Sequence, residues 1–560
     1  MTGAIAPRPA ESVMKLARLG SFHQTRLSFM RQLLRRLKSE CWRFETRAFD
    51  IDARGVGHAV LTAHGPERCY SLVAFAHDLP DAMRSDRVIA TAWDATFTLF
   101  DGLPDAADID RLRANVPRQE AGRLTARELS LSRANRSVRI WDHVVESLAA
   151  GRQPDAERVA EVGYLMRTTA VYGSGKFGAA DRAAIADRPE FQAPFQVEML
   201  SVYLTRAFVM DLVEHMARRR APATARPLAP DLRRRFGIGN STGLGMAPFL
   251  VTHPALLNSW IAAREEALAR VRSLPRATGE AAAHFRAVAE RARLHVAAWH
   301  SGHPVQVEKL AALRADVDAL LAHLANADLL SDMPWNRLWL WAEGRLSTEG
   351  QELLVSLLLE PHGPLVDGLA DCMAADEDAT WAIDGAMPVA RLRAIVEDAY
   401  AWALAIDWSA PETRARIWYV SQAKQEPRLG ERVEEDLAPY EQPLAPGRDV
   451  VRLHADLDAT GAETVADFLL DHPEHRHVVR RAQIAAHLPY AEIRDNTIAA
   501  DMLPIDMLRL KLSFFGACHF DPRSDRWVRI NMYQNAPFPQ DLAARDADDW
   551  TWPPLPEAAP

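Results

Sequence analysis

The sequence contains very little lysine. Lysine and arginine together account for 66 of the 560 residues, and only six of these are lysine. The lysine ammonium is a compact point charge whose pKa can be tuned, whereas arginine stays protonated and carries a broad planar group. Because nearly every cationic position is arginine, each lysine becomes a candidate for a special role. The six are Lys15, Lys38, Lys176, Lys309, Lys424 and Lys511.

Cysteine pairs, long apolar runs and a secretory pattern are also lacking. The four cysteines form no Cys-x-x-Cys pair, which favours a reducing compartment. No apolar run approaches the roughly 18 residues that a membrane-spanning helix needs. Residues 1–11 show no charged stretch followed by an apolar one, so no secretory signal is expected. We therefore predict a cytoplasmic protein, and the alanine- and arginine-rich composition is typical of GC-rich bacterial genomes.

An excess of positive charge is absent as well. The formal net charge is −9, which argues against binding nucleic acid through a basic surface. Residues 11–40 combine basic residues with a helical spacing of apolar ones, and we expect this helix to pack on protein rather than on lipid. We predict no nucleic-acid partner and no membrane partner, and we leave a homo-oligomer open.

The periodicity of apolar residues changes along the chain. Residues 42–103 contain four stretches rich in β-branched and aromatic residues, separated by turn sequences, which predicts an antiparallel meander. Two later stretches, 512–520 and 526–533, flank a turn and predict a β-hairpin. Most of the remaining sequence has helical periodicity. The predicted fold class is α+β, predominantly α-helical, with an N-terminal antiparallel β-meander, a large helical body and a late β-hairpin.

Composition also divides the chain into segments. Residues 221–231 are rich in proline and alanine and form the best boundary. The predicted segments are a basic amphipathic helix over 1–41, the β-meander over 42–103, a helical region over 104–220, a linker over 221–236, a helical body with a glycine-rich loop over 237–410, a mixed α/β C-terminal region with a β-hairpin over 411–543 and a disordered tail over 544–560.

The stretch at 173–178 is a candidate anion-binding element, and it contains Ser174 and Lys176. It departs from the phosphate-binding Walker pattern because residue 170 is alanine, residue 177 is phenylalanine and the preceding segment reads as helical. Its successive small residues still expose backbone N–H groups beside Lys176, which suits an anionic oxygen. The alternative is a turn between helices with glycine as the C-cap.

The stretch at 237–245 holds four glycines together with Asn240, Ser241 and Thr242. A dinucleotide fingerprint requires a preceding strand, and the basic residues 232–236 do not read as one, so nucleotide binding of this kind is not predicted. The four glycines and the short polar side chains suit a mobile lid or an anion-binding nest. A purely structural loop remains the alternative.

A third stretch follows a short predicted strand and is the densest in reactive side chains. Arg428 and Arg432 suit bidentate binding of a carboxylate or phosphate. Lys424, Tyr419 or Glu426 suit proton transfer. The alternative is a solvated loop in which these cations pair with neighbouring glutamates.

Histidines crowd into one short segment, where His472, His475 and His477 surround Glu474. The sequence has no His-Glu-x-x-His, and the single Glu-x-x-His pair has no counterpart on another helix. The cluster lies between two predicted helices, where solvated histidine is usual. We therefore predict no metal site, and no other cofactor is predicted.

These candidates lead to two functional hypotheses. The preferred one is a cytosolic enzyme that acts on a small carboxylate- or phosphate-bearing metabolite by acid–base chemistry, as a lyase or isomerase, without a redox metal. The alternative is a non-catalytic helical scaffold or regulatory protein that uses the N-terminal helix and a predicted bundle at 254–325 as partner surfaces.

Under the preferred hypothesis the catalytic residues are Lys176, Lys424, Tyr419 and Glu426. The substrate-binding residues are Arg428, Arg432, Ser174, Asn240, Ser241 and Thr242. We expect Lys176 and Lys424 to share one site, because both lysines lie in polar stretches of a chain that otherwise uses arginine. Lys309 lies at an exposed-looking helix start, and substitutions there are expected to do little.

Overall fold

The computed structural model describes residues 4–83, 92–116, 123–168, 185–240, 253–301, 304–373, 381–409, 418–421, 427–429, 441–444, 446–493, 504–516 and 530–552. The strands are β1 (Arg43–Ile51), β2 (Gly57–His64), β3 (Cys69–Ala76), β4 (Ala95–Asp101), β5 (Glu128–Arg136), β6 (Tyr164–Thr168), β7 (Gly237–Asn240), β8 (Trp418–Ser421), β9 (Pro427–Leu429), β10 (Glu441–Leu444) and β11 (Ile530–Met532). The fold is α+β with a large helical body, as the sequence predicts.

The N-terminal helices are α1 (Ala10–Val13), α2 (Leu16–Leu19), α3 (Phe29–Ser39), α4 (Ala106–Asn115), α5 (Trp141–Ala149), α6 (Ala156–Val162), α7 (Gln196–Arg220) and α8 (Pro230–Arg235). The later helices are α9 (Pro254–Arg272), α10 (Gly279–Ala297), α11 (Pro304–Asn326), α12 (Pro334–Glu343), α13 (Thr348–Leu359), α14 (Gly363–Val366), α15 (Val389–Ala399), α16 (Ala401–Leu404), α17 (Pro446–Ala459), α18 (Val465–Asp471), α19 (Arg476–Ala485) and α20 (Pro504–Phe515).

One large sheet has the strand order β1-β2-β3-β4-β5-β6-β7-β11. Its first four strands are antiparallel neighbours, so the predicted meander is confirmed. The turn between β1 and β2 depends on Gly55, which has φ +80° and can adopt this left-handed conformation without strain. Helix α7 packs against β2, β3, β4, β5 and β7, and it is buried along most of its length because it is apolar on nearly every side.

Three strands lie where the sequence predicts helix or loop. β5 and β6 interrupt the region 104–220 that we predicted to be helical, and β7 occupies the first part of the predicted glycine-rich loop. Every residue of β5, β6 and β7 is buried. Because both faces of these strands are covered, β6 and β7 lack the simple alternation of apolar and polar residues that marks a half-exposed strand.

The N-terminal segment differs from the single helix predicted over 1–41. It forms three helices, α1, α2 and α3, and the chain between them is irregular. Its apolar residues are buried in the main core, and several of its arginines, among them Arg8 and Arg31, are turned inward onto carboxylates. The spacing of apolar residues therefore identified the buried positions correctly, although not as one continuous helix.

The helical run Thr348–Cys372 is long and apolar enough to cross a membrane by length and composition. Within the protein, however, 67% of its most apolar window is buried. It also carries Glu349, Glu352 and Glu360, each of which is ion-paired inside the fold. This run is therefore a core helix of the fold.

A second, smaller hydrophobic core is formed by helices α15 to α19. Its centre includes Leu392, Val396, Leu453 and Phe468, all buried. We call it the second core, because its residues form a cluster separate from the main one. Helix α19 also contacts α9 of the main body.

The C-terminal region contains two departures from the sequence prediction. The stretch 512–520, predicted as the first strand of the late hairpin, is helical through Phe515, and β11 in the second stretch pairs with β7. An antiparallel pair of strands lies earlier in the C-terminal region, between β8 and β9. Residues 544–552, predicted as the start of a disordered tail, are packed. Trp550 and Trp552 are buried there and anchor this segment to the main core.

Candidate functional site

Strands β6 and β7 form the parallel pair of the described sheet. Thr168 lies opposite Asn240, and Arg167 lies opposite Gly239. Because the two strands run parallel, both end at the same edge of the sheet. Helix α7 lies between them in the chain and packs on β7. In open sheets with parallel strands, ligands bind outside the carboxyl ends of the strands. We call this place the carboxyl edge of β6 and β7.

The first predicted anion-binding stretch begins at this edge. Residues 169–184 follow Thr168 directly and contain Ser174 and Lys176, which lie outside the described residues. The segment before the stretch ends in a strand, which corrects its helical interpretation. The Walker motif is still excluded, because residues 170 and 177 have the wrong side chains.

The second predicted stretch leaves the same edge from β7. Asn240 is described and buried, whereas Ser241 and Thr242 lie outside the described residues. The first part of this stretch is thus a strand held by β6 and β11 rather than part of a loop. Glycine is needed at position 237 because a Cβ there would lie 2.5 Å from the carbonyl oxygen of Met532.

Three buried polar side chains that the sequence analysis missed lie on one face of the sheet beside this edge. Asn135 of β5 is opposite Arg167 of β6, and Arg133 lies two positions before Asn135 in the same strand. Residues two apart in a strand, and residues paired across strands, share a face. Arg133, Asn135 and Arg167 are 6%, 4% and 6% exposed, so two guanidinium groups and an amide are withdrawn from bulk water here.

Hydrogen bonds and ring contacts fix part of this polar face. The Asn135 Oδ1 accepts from the backbone N–H of Asp94 at 2.9 Å, and the Asn135 Nδ2 donates to the carbonyl of Ala92 at 3.2 Å. The guanidinium carbon of Arg133 lies 3.9 Å from the ring centroid of Trp93, a cation–π contact. The loop before β4 is therefore bound to β5 and holds Arg133 in place.

A sequence signal for β5 exists, although we read the segment as helical. From Glu128 to Ser132 polar and apolar residues alternate strictly, which is the period of a strand. The run is short, and the residues that follow it, Arg133, Ala134 and Asn135, read equally well as helix. The arginines could not be selected by composition, because the chain contains so many of them.

The third predicted stretch forms the small sheet of β8, β9 and β10. The backbone of Tyr419 lies opposite that of Arg428 in the antiparallel pair, so these two predicted residues occupy neighbouring register positions. Lys424, Glu426 and Arg432 lie outside the described residues. Whether this sheet approaches the carboxyl edge of β6 and β7 stays a prediction.

A second concentration of charge lies deep in the main core, where arginines meet glutamates of α9 and α13. Arg8 donates from Nη1 to Glu352 at 2.7 Å and from Nε to Glu265 at 2.7 Å. Arg264 donates to Glu352 at 2.6 Å, and Arg18 donates to the same carboxylate at 2.5 Å. Glu265 and Glu352 have no exposed surface, so their charges depend entirely on these arginines.

One helical turn earlier in α13, Glu349 extends this network. Arg509 of α20 donates from Nη2 to the Glu349 carboxylate at 2.6 Å, and Lys309 lies 3.8 Å from it while donating to Asp506 at 2.8 Å. The His23 Nε2 lies 3.8 Å from Glu349. We call these residues and the preceding cluster the buried ionic centre. Its members are Arg8, Arg18, His23, Arg264, Glu265, Lys309, Glu349, Glu352, Asp506 and Arg509.

In the buried ionic centre, burial and ion pairing shift the pKa values of the carboxylates in opposite directions. Burial alone would raise the pKa of Glu352, but Arg8 and Arg264 outweigh it and hold that pKa well below its ordinary range. Burial and the nearby Arg509 lower the pKa of His23 to about 3, so this imidazole is neutral at physiological pH. The centre is therefore a fixed ionic lattice that joins the N-terminal segment to α9, α13 and α20.

Two lysines are more deeply engaged than the sequence suggests. Lys309, which we expected to be inconsequential, is largely buried and paired in the ionic centre, and this corrects that expectation. Lys511 on α20 is 1% exposed, and burial lowers its pKa to about 7. A lysine that loses its proton near neutrality is a candidate for acid–base chemistry.

An open groove of about 550 Å³ is lined by basic and acidic side chains near α3. Its cations are already engaged by the protein. Arg35 lies 3.1 Å from Asp548, and Arg36 lies 2.7 Å from Asp371. Lys38 donates to the carbonyl of Arg545. These pairings leave little unsatisfied charge in the groove for a ligand.

Comparisons with protein-family models, with curated proteins and with solved structures find no match to this chain. The function must therefore be argued from the chemistry of its own residues.

Proposed function

We propose that the protein is a cytoplasmic enzyme that acts on a small carboxylate- or phosphate-bearing metabolite by acid–base chemistry, as a lyase or isomerase. The observation that carries this proposal is the polar face at the carboxyl edge of β6 and β7. Arg133 and Arg167 are buried there, next to the points from which two glycine-containing stretches leave the sheet. A guanidinium group presents a planar fork of donors that matches a carboxylate or phosphate.

In this proposal the anion is bound by the arginines together with backbone N–H groups of the two stretches, with Asn240, Ser241, Thr242 and Ser174 adding polar contacts. Lys176 is the point charge beside the anion. The sheet of β8 to β10 supplies Lys424, Tyr419 and Glu426 for proton transfer, with Arg428 and Arg432 as further anion contacts. Small anionic metabolites are the proposed partners, and neither nucleic acid nor a membrane is among them.

A cytoplasmic location is consistent with the thiols. Cys41, Cys69 and Cys372 are free, and two of them are exposed. Exposed unpaired thiols persist in a reducing compartment.

The scaffold hypothesis remains the alternative. Its two partner surfaces are less suited to the role than the sequence suggested. The N-terminal basic residues Arg8, Arg18 and Arg31 are engaged inside the protein. Within the described part of the predicted bundle, the exposed large apolar residues are Leu294 and Val307, which do not make an extended stripe.

The deciding experiment is a thermal-shift screen of the full chain against small carboxylates and phosphates, followed by NMR in deuterium oxide. A ligand present at about a hundred times its dissociation constant should add about 2.7 kcal/mol to the free energy of unfolding. Acid–base chemistry at carbon should also introduce deuterium into the ligand or convert it to product. Binding without either change would disprove the enzymatic part of the proposal.

Arg167→Lys is the matched variant for the site, because it keeps the positive charge and removes the planar fork. We expect it to abolish most of the ligand-induced shift, whereas Arg54→Lys on the surface should leave the shift unchanged. Arg54 is 75% exposed and pairs with Asp78. An equal ligand response in Arg167→Lys and wild type would remove this edge as the binding site.

A further inference from the structure

Four metal-ligating side chains converge at the edge of the second core. They are Asp456 of α17, His472 and Glu474 from the short connection after α18, and His475 at the start of α19. Each offers one ligand atom, and the four atoms lie within 4.8 Å of one another. From this convergence we propose that these four residues bind one Zn²⁺ ion, which reverses the sequence-based prediction of no metal site.

The separations between the ligand atoms are near those of a tetrahedral site. The His475 Nε2 lies 2.6 Å from the Asp456 Oδ2, and the His472 Nδ1 lies 4.0 Å from that same oxygen. The His472 Nδ1 lies 3.4 Å from Glu474 Oε1. Zinc bonds to imidazole nitrogen and carboxylate oxygen are about 2.0–2.2 Å long, so neighbouring ligand atoms in a tetrahedron lie about 3.3–3.6 Å apart. The observed values bracket that distance, and shifts of under about 1 Å bring them to it.

The ligand set also fits zinc chemically. Two imidazoles and two carboxylates suit Zn²⁺ and related first-row divalent ions, whereas Mg²⁺ and Ca²⁺ prefer oxygen alone. With both histidines neutral, the two carboxylates carry two negative charges, which one divalent ion neutralises. Among the described residues, no lysine or arginine forms an ion pair with Asp456 or Glu474. None of the lysines and arginines that the structure describes therefore compensates the negative charge here.

The two imidazoles are oriented by the core. The ring of Phe468 stacks on His472 at 4.9 Å and on His475 at 5.9 Å between centroids. His475 is 5% exposed, so one ligand is anchored in the interior. The Glu474 side chain is 63% exposed and lies at the solvent side, which gives an ion a path of entry.

A neighbouring cluster of the same residue types shows what a site without metal looks like. His454, also on α17, lies 3.2 Å from Glu397 and 3.7 Å from Asp458. Arg393 lies 2.8 Å from Asp458 and 3.0 Å from Glu397, so a guanidinium already occupies the position of the cation. This cluster is the internal control for the proposed site.

The consequence of zinc binding is a crosslink between α17 and the connection that joins α18 to α19. Four protein ligands close the coordination sphere, as in structural zinc sites. The second core is small, and a small core gains most from an added crosslink. The proposed zinc therefore stabilises the second core and has no part in the proposed reaction at the sheet.

The test uses the full chain with any histidine tag removed. Protein stripped by a chelator is titrated with Zn²⁺ against a fluorescent zinc chelator, and bound metal is counted by mass spectrometry. We expect one Zn²⁺ per chain and a rise in thermal stability. Replacement by Co²⁺ should give the visible absorption of a tetrahedral site. Absence of stoichiometric binding would overturn the proposal.

Variants at the solvent side make the test specific. Glu474→Gln and His472→Gln change partly exposed residues, so the fold is expected to survive, which circular dichroism checks. Each should weaken Zn²⁺ binding about tenfold or more, since even loss of a residue supporting a ligand costs about 10–100-fold. His454→Gln should bind Zn²⁺ as wild type does. Equal affinity in wild type and in the Glu474→Gln, His472→Gln double variant would also overturn the proposal.

Discussion

Arg8 and Glu352 lie 344 positions apart in the sequence and meet in the interior, where the arginine Nη1 is 2.7 Å from the glutamate Oε1. This contact ties the start of the chain to the central helix α13. Because Glu352 has no exposed surface, the segment that carries Arg8 is part of the core.

Glu352→Gln should strongly destabilise the protein. Three arginines, Arg8, Arg18 and Arg264, would lose the carboxylate that compensates them. Breaking a buried ion pair by removing one partner costs about 3–5 kcal/mol, because a buried charge is left unpaired. Urea unfolding measures the change. Glu290→Gln, which affects an exposed pair with Arg293, should stay within about 0.5 kcal/mol of wild type. Similar losses for the two variants would contradict a buried role for Glu352.

Removal of residues 1–40 should prevent stable folding. The segment supplies buried side chains such as Val13, Leu19, Leu33 and Leu34 to the main core, in addition to its arginines. Burial of each large apolar side chain contributes about 1.5–3 kcal/mol, and the sum exceeds the usual stability of a protein. Soluble yield and circular dichroism of the truncated chain test this. A truncated chain that folds normally, or a full-length protein that sediments with liposomes at physiological salt, would show that the segment faces outward instead.

His23 should make the stability depend on pH. Its pKa is about 3 in the folded protein against an ordinary value of 6.5, because burial and Arg509 disfavour the charged ring. Between these values the unfolded chain binds a proton that the folded protein does not, so the free energy of unfolding falls as the pH drops. The slope for one such group is about 1.4 kcal/mol per pH unit.

Urea unfolding at pH 7.5, 6.0 and 5.0 measures this slope, in a range where most carboxylates are still ionised. His23→Gln should reduce it, with His477, whose pKa is lowered to about 4, still contributing, while His300→Gln at an exposed position should leave it unchanged. An unchanged slope in His23→Gln would mean that other groups set the pH dependence.

The parts of the fold that the sequence predicted correctly share local signals. The meander β1 to β4 has alternating apolar residues and turns between neighbouring strands, so each strand pairs with the next one in the chain. β7 has no such signal, because its partners β6 and β11 lie far away in the sequence and both its faces are covered. Pairing between strands so far apart in the sequence produces no pattern of residues within a short stretch of the chain.

Part of the candidate site could also be predicted from local sequence signals. Glycines and small polar residues marked the two stretches that leave the carboxyl edge, and Asn240 was selected as a candidate in this way. Arg133 and Arg167 look like any other arginine in this chain, and their burial becomes apparent only once β5 and β6 are paired. The ionic centre was missed because its pairs, such as Arg8 with Glu265, join residues 257 positions apart.

Substitution of Lys309 tests whether this lysine stabilises the protein, contrary to the sequence-based expectation that changes there do little. Its ammonium lies 2.8 Å from Asp506 and 3.8 Å from Glu349. Lys309→Gln should therefore lower the free energy of unfolding by about 1–3 kcal/mol, since a carboxylate that is nearly buried would lose its partner. Lys15→Gln, at an exposed position, should change it by less than about 0.5 kcal/mol. Thermal and urea unfolding of both variants check this, and equal stabilities would show that the Lys309 contact contributes nothing.

Lys176 tests the proposed function itself. Lys176 lies eight positions after the end of β6. The neighbouring strand β7 ends at Asn240, from which the second stretch continues, so both stretches start from one edge of the sheet. If the site needs a compact ammonium beside the anion, Lys176→Arg should reduce the ligand-induced thermal shift almost as much as Lys176→Ala, because the broad guanidinium does not fit a point-charge position.

Lys424→Ala should have the same effect if the two lysines share the site, and Lys15→Ala should have none. A full ligand response in Lys176→Ala would remove this lysine from the site. If only Lys424→Ala keeps the full ligand response, the β8–β10 sheet does not contact the anion. The carboxyl edge of β6 and β7 then remains the binding site of the anion. The pair of variants thus distinguishes a site built at the sheet edge alone from one completed by the later part of the chain.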